Sequence, residues 1–453
     1  MIDSDTALTR CEDLIAMARR MGADAADAVM RADASEGVEI RLGKLESVDR
    51  SESESIGLRV FVGQRSASIH TSDFSAEAFE TLAERALAMA RIAPEDRYAG
   101  LAPQDRLFAG EMPDLDLFDA RETSPEELRE RALEAEDAAR SVPGVTNSNG
   151  GGASRSHSVV ALATSAGFAR GYEASGHAIS ASVVAGEGGR MQTDSHFRSA
   201  RHAEDLPDPA SIGAEAGRRA VARLDPGTMR SGRMPVVFDP RIGGSLIGHI
   251  LSAMSGPAVA RKASFLIGHE DEDLFAPAIR ILEDPLLMRG PRSHPFDGEG
   301  LECVPRALME NGRIFGWMTN SASARQLDRP MTGHAARGGG GAPGVSASNV
   351  YMEAGDASPA DLMADISDGL YVTHLFGQGV NLVTGDYSRG ASGFRIVNGA
   401  VAGPVAEITV AGNLLDMVRA LVPANDLERF RALDVPTVRV DGMTVAGSLG
   451  EWR

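Results

Sequence analysis

The sequence predicts an α+β protein of two domains: an N-terminal α/β domain over residues 1–224, and a mainly antiparallel β domain with a few helices over 225–453. Three observations predict it. The first half alternates between helical and strand-like hydrophobic periods. The second half carries three turn dipeptides, Asn311-Gly312, Asn398-Gly399 and Asp441-Gly442, each between short apolar runs. Such pairs tolerate the positive φ that a type I′ hairpin turn requires. Between the halves, Asp225-Pro226-Gly227 and Ser231-Gly232 bracket a short linker.

The elements follow in order. Residues 5–20 place Ala7, Leu8, Cys11, Leu14, Ile15 and Ala18 at helical spacing, and Val38 to Leu42 alternate like a half-buried strand. Gly57–Val62 and Ser66–His70 read as a hairpin around Gly63-Gln64. Residues 75–91 form a helix with Phe79, Leu82, Ala83, Ala86, Leu87 and Ala90 on one face. Ser124-Pro125-Glu126-Glu127 is a capping box with proline at the first helical position, so a helix runs from there to about Ser141. The glycine-rich stretch 149–152 predicts a loop, residues 157–199 a sheet, and 209–224 a last helix. Beyond the linker, helices are expected at about 240–254, after Ser358-Pro359, and near 412–421. A loop is expected from Thr332 to Ser348, with Gly338 to Gly341 in a row.

Composition excludes several function classes. A net charge of −19 with no basic run repels nucleic acid. Two distant cysteines, Cys11 and Cys303, exclude a disulfide framework and any CxxC site. The acidic N-terminus does not read as a signal peptide, and Ile242–Ala260, though uncharged, is too polar to span a membrane; a cytoplasmic protein is expected. Two lysines, neither in a phosphate-loop context, leave no P-loop, and no G-x-S-x-G elbow is present.

Histidine ligands for a metal on one helix face need spacings of three to five. His269-Glu270-Asp271-Glu272-Asp273 begins in that way, but Asp273 stands where the second histidine would be, so the segment reads as a solvated acidic loop. His249 on its apolar helix reads first as a core residue. Asp297-Gly298-Glu299-Gly300 offers two carboxylates. Acid–base work needs a dry cleft that splits their pKa values, and a Gly-rich turn reads more simply as a hairpin tip in water. The Gly338–Gly341 run is either a mobile loop or a lid over a peptide.

Val38 to Leu42, Leu45-Glu46-Ser47-Val48 and Gly57-Leu58-Arg59-Val60-Phe61 recur in order with Asp297 to Gly300, Glu310-Asn311-Gly312, Asn320 to Arg325, and Gly385-Asp386-Tyr387-Ser388 with Gly390 and Gly393. Taken together over nearly the full length, the pattern resembles the TldD/PmbA family, once described as modulators of DNA gyrase and later as peptidases. The resemblance implies two branches. One carries H-E-x-x-x-H and a distant cysteine as zinc ligands, with the glutamate as general base. In this chain the corresponding segment is Gly244 to His249: Gly244 and Ser245 stand at the first two positions, only His249 remains, and Asn381 to Ser388 offers no cysteine. That departure is similar to the TldE (PmbA) branch.

The resemblance therefore implies a non-catalytic, substrate-shaping subunit of a heterodimeric zinc protease. It binds no cofactor itself; zinc resides in a TldD-like partner, and a shared cleft takes unfolded peptides. The chain has no catalytic or metal residue of its own on this reading. His249, Gly338, Gly339, Gly340 and Asp386 are the cleft candidates, and a homodimer is expected when the chain is alone. Gly244, Gly248 and Ser252, four apart, are expected to permit close helix packing. Two alternatives stay open: an autonomous metallopeptidase using His249 with His269 or His294, and a protein-binding regulator of gyrase.

Overall fold

The computed structural model describes residues 1–447. Helix α1 (Ser4–Arg20) begins where Asp3 accepts the Thr6 N–H at 2.7 Å. Strands β1 (Ala25–Arg41), β2 (Lys44–Val62) and β3 (Arg65–Thr71) follow as antiparallel neighbours. Helices α2 (Ala76–Ile92) and α3 (Pro125–Arg140) are capped by Ser75 and Ser124. Then come β4 (Val145–Thr164), β5 (Ala169–Ala185), β6 (Gln192–Ala200) and α4 (Pro209–Ala222). Because β4 returns beside β1, all six strands make one antiparallel sheet in the order β3-β2-β1-β4-β5-β6.

Period-2 alternation decides how this sheet is covered. Even-numbered β1 side chains, Ala26, Ala28, Met30 and Ala32, pack with Cys11 and Leu14 of α1 and Leu82 and Ala86 of α2. Val38 and Ile40, on the same face, meet Leu128 and Ala132 of α3. Val29 points the other way and packs with Leu162, Phe168 and Phe296. Helices thus cover one face, and the C-terminal half covers part of the other.

The expected loop at 149–152 is instead part of β4. The glycines serve close approach there: a Cβ on Gly151 would lie 2.3 Å from the Ala132 carbonyl oxygen, so α3 lies directly on the strand.

In the C-terminal half, β7 (Gly232–Phe238) leads into α5 (Pro240–Ala253) and the short α6 (Gly256–Ala260). Strands β8 (Ile281–Glu283), β9 (Arg306–Glu310) and β10 (Arg313–Ile314) precede α7 (Ser321–Leu327). A small hairpin of β11 (Ala335–Ala336) and β12 (Gly344–Val345) occupies the expected 332–348 loop. After β13 (Val350–Met352) come α8 (Pro359–Met363), β14 (Asp368–Phe376), β15 (Asp386–Val397), β16 (Ala400–Asn413) and α9 (Leu414–Arg419). The described chain closes with β17 (Leu421–Pro423), β18 (Leu433–Asp434) and β19 (Val438–Ala446). One sheet runs β10-β9-β8-β13-β18. The other runs β16-β15-β14-β7-β19-β17, and an added β16–β19 pairing closes five of its strands into a ring.

Two turn dipeptides act as expected. Asn311-Gly312 joins β9 to β10 and Asn398-Gly399 joins β15 to β16, both with positive φ. Asp441-Gly442 does not turn the chain. It forms a bulge inside β19, where two residues oppose Pro235 between the Val440–Val236 and Met443–Met234 pairs. Proline has no ladder donor to offer, so the bulge falls where pairing is already interrupted. The sheets of this half are mainly antiparallel, as expected, with β7–β14 and β13–β18 as parallel pairs.

Candidate functional site

Two places concentrate the chemistry: helix α5 and a cleft between the first sheet and the C-terminal half. On α5, Asp239 caps the helix by accepting the Arg241 N–H at 2.9 Å, and Pro240 fits the first turn, where its missing N–H costs nothing. Leu246, Ile247, Ile250 and Leu251 face the large C-terminal core. Gly244 lies against β18, where a Cβ would meet Leu433 Cδ2 at 2.8 Å. The Ser245 hydroxyl donates to the Ile242 carbonyl at 2.7 Å. The close-packing role expected for three small residues belongs to Gly244 alone. Gly248 faces open space, and Ser252 is exposed and bonded back to the Gly248 carbonyl.

His249 is half-buried, edge-on to Tyr387 of β15 with ring centroids 6.2 Å apart. Burial and the nearby Arg389 hold its pKa below the usual histidine value. Its Nε2 and the Tyr387 hydroxyl are buried without hydrogen-bond partners among the described residues. Asp386, the neighbour of Tyr387 in sequence, points the other way by strand alternation. It is exposed and accepts from Thr384 Oγ1 at 2.7 Å.

The remaining metal candidates are held by unrelated neighbours. His269 pairs with Glu272 at 2.9 Å on an exposed turn, as the solvated-loop reading expects. His294 Nδ1 lies 2.9 Å from the Arg292 carbonyl. Cys303 is buried with its thiol 3.6 Å from the Gly333 carbonyl, and burial pushes its pKa far up. Among the described residues, no three His, Cys, Asp or Glu side chains are placed to hold a metal ion.

The cleft has a volume of about 510 Å³ and lies between β1, β4 and β5 on one side and residues 291–298 and 335–347 on the other. Beneath it Asp27 of β1 is 1% exposed and carries two guanidinium groups. Arg59 Nε donates to it at 2.9 Å and Arg337 Nη1 at 2.6 Å. Burial by itself would raise the Asp27 pKa; the two arginines outweigh it and hold the carboxylate below its ordinary range. Arg31 donates to the Arg337 carbonyl at 2.8 Å, which fixes the β11–β12 hairpin against the first sheet.

The Asp297-Gly298-Glu299-Gly300 segment is not a hairpin tip in water. Asp297 is 2% and Glu299 5% exposed. Asp297 accepts backbone N–H groups from Glu299 and Leu301, both at 2.9 Å, and from Ala335 at 3.1 Å. Glu299 accepts the Ser321 N–H at 2.7 Å and its hydroxyl at 2.6 Å at the start of α7. Burial, and then the Glu299 charge, push the Asp297 pKa up to about 7. A short turn sequence looks solvated by local rules; here β11 closes over it, which only the folded chain reveals. A hint lay in its flanks, since Phe296 and Leu301 are both apolar.

The structure separates the five cleft candidates. Gly338 lines the cleft; His249 and Asp386 do not. Gly340 lies against β2 and β3, with a Cβ on Gly57 falling 1.9 Å from its Cα, while Gly339 faces open space. Arg31, Arg201, Arg292 and Arg337 also line the cleft, and no spacing rule joins residues so far apart.

Models of the PmbA/TldA metallopeptidase family match three stretches: domain 1 over residues 26–90, the central domain over 118–224 and the C-terminal domain over 231–447. The six-stranded sheet unites the first two. The metalloprotease PmbA of Escherichia coli O157:H7 is 35% identical over 426 residues, covering 94% of this chain and 92% of its own. A solved Bacteroides thetaiotaomicron protein superposes with a TM-score of 0.88 at 25% identity, covering 97% of this chain and 98% of its own. TldE from Thermococcus kodakarensis shares the fold, with a TM-score of 0.85 at 20% identity over 97% of this chain and all (100%) of its own. The chain belongs to the PmbA/TldD metallopeptidase family.

Proposed function

We propose that this chain is the non-catalytic, substrate-shaping subunit of a two-chain zinc peptidase, paired with a TldD-like chain that carries the metal and acting on unfolded peptides. The family membership supplies the coarser part, a protease-related role. The observation that carries the finer part is α5. Gly244 has no side chain to offer and is pressed on Leu433, the Ser245 hydroxyl is committed to Ile242, and His249 stands alone beside Tyr387. A catalytic zinc needs three protein ligands and an open position, and a base to activate its water. The residues here do not fit that centre, so no hydrolytic step is assigned to this chain.

Metal analysis of the chain purified alone and dialysed without chelator tests the reading. Zinc near zero per chain is expected, with zinc-dependent cleavage of an unfolded peptide appearing only after co-purification with a TldD-like chain. Zinc near one per chain, with cleavage by this chain alone that His249→Ala abolishes, would replace it with the autonomous metallopeptidase.

A further inference from the structure

On a chain of net charge −19, the cleft is lined by four arginines, Arg31, Arg201, Arg292 and Arg337, against one carboxylate, Asp297. Asp297 makes no ion pair with them among the described residues; its two oxygens accept three backbone N–H groups instead. Arg201 gives its donors to the carbonyls of Gly290, Ser175 and Pro291, and Arg31 gives one to the Arg337 carbonyl. Neither these two nor Arg292 has an ion-pair partner among the described residues. Arg337, 6% exposed, must share Asp27 with Arg59, and its Nε and Nη2 have no acceptor; nor has Arg31 Nε. Buried donors without acceptors are costly, and the positive charge of Arg31, Arg201 and Arg292 is left without a paired carboxylate among the described residues.

The wall beside these charges is apolar: Val29, Val160, Leu162, Tyr172, Phe296 and Ala347. Guanidinium groups match a carboxylate with two parallel hydrogen bonds, and the volume of about 510 Å³ lies within the range of small-ligand pockets. Inorganic phosphate would leave the apolar wall wet. We propose that this cleft binds the C-terminal carboxylate of an unfolded peptide whose last side chain is apolar, with Arg31 and Arg292 taking the carboxylate and the β1–β4 wall the side chain. Capture of a chain end needs few side-chain contacts and suits substrates of varied sequence. The proposal rests on the peptide-handling reading for the choice of ligand; the arginine site itself does not depend on it.

The test is fluorescence anisotropy on the full chain alone, with an N-terminally labelled Ala-Ala-Leu tripeptide as free acid and as C-terminal amide at low salt. The free acid is expected to bind at least tenfold more tightly, a gap of about 1.4 kcal/mol. Arg31→Gln should erase that gap. Arg292→Gln, at an exposed position that leaves the fold intact, should narrow it at least threefold, and thermal melts check that both variants are folded. Equal binding of acid and amide overturns the proposal. So does a gap that Arg292→Gln leaves unchanged, and so does inorganic phosphate binding without any preference for the acid. No zinc or partner chain enters this titration, so its failure is distinct from failure of the subunit reading.

Discussion

On helix α5 most polar groups find partners within a turn or two of sequence: Asp239 with Arg241, Ser245 with Ile242, Ser252 with Gly248. In the cleft they are settled across the whole chain: Arg337 on Asp27, Arg31 on the Arg337 carbonyl, Asp297 on the Ala335 N–H. The first kind of chemistry is visible in residue spacing, and there Gly244 serves close packing and Ser245 bonds back to its own helix. The second kind is not, and there the unneutralised charge accumulates. In this chain helix α5 carries packing, and the arginines without ion pairs lie in a region with no motif.

Substitutions sharpen that contrast. The largest effect is expected at Asp27→Ala, which strands two buried guanidinium groups and should cost about 3–5 kcal/mol in chemical denaturation. A loss below about 1 kcal/mol would mean that the network under the cleft is solvated. Glu283→Gln comes next, at about 2–3 kcal/mol, since Glu283 is 4% exposed and accepts from His334 Nε2 and Ser348 at 2.7 and 2.6 Å. Burial tends to raise the Glu283 pKa, but the bonds from His334 and Ser348 outweigh it and hold the folded value below the ordinary one. Its contribution is therefore complete above the unfolded glutamate pKa and disappears as pH falls through the folded value. The variant should lose less stability on acidification than the parent; identical acid limbs would show that Glu283 does not titrate in this way.

Gly57→Ala should cost about 1–3 kcal/mol by forcing Gly340 off β2, and should speed proteolytic nicking between 338 and 341. Unchanged nicking would mean that the hairpin tip is not anchored there. The smallest effect is expected at His249→Phe. Removing a buried, unpartnered Nε2 while keeping a ring against Tyr387 should shift stability by less than about 1 kcal/mol and leave the zinc content of the lone chain unchanged. A large loss would move His249 from packing to function.

Much of the fold was legible in local signals. Ser124 and Ser358 cap helices where the residue pattern placed them, and two Asn-Gly pairs close hairpins. Where local rules failed, a neighbour remote in sequence decided the matter. The 149–152 stretch is strand, with α3 seated directly on Gly151, Asp441-Gly442 became a bulge because Pro235 interrupts the ladder, and Asp297 and Glu299 left water because β11 and α7 supply their donors.

By itself the sequence determined most of the helices, two hairpin turns and the family, because periodicity, capping and turn chemistry are local properties. Tertiary structure alone decided where uncompensated charge resides. Whether an arginine is neutral in effect depends on what lies within a few ångströms of it, and for Arg31, Arg201 and Arg337 those neighbours come from segments tens to hundreds of residues away.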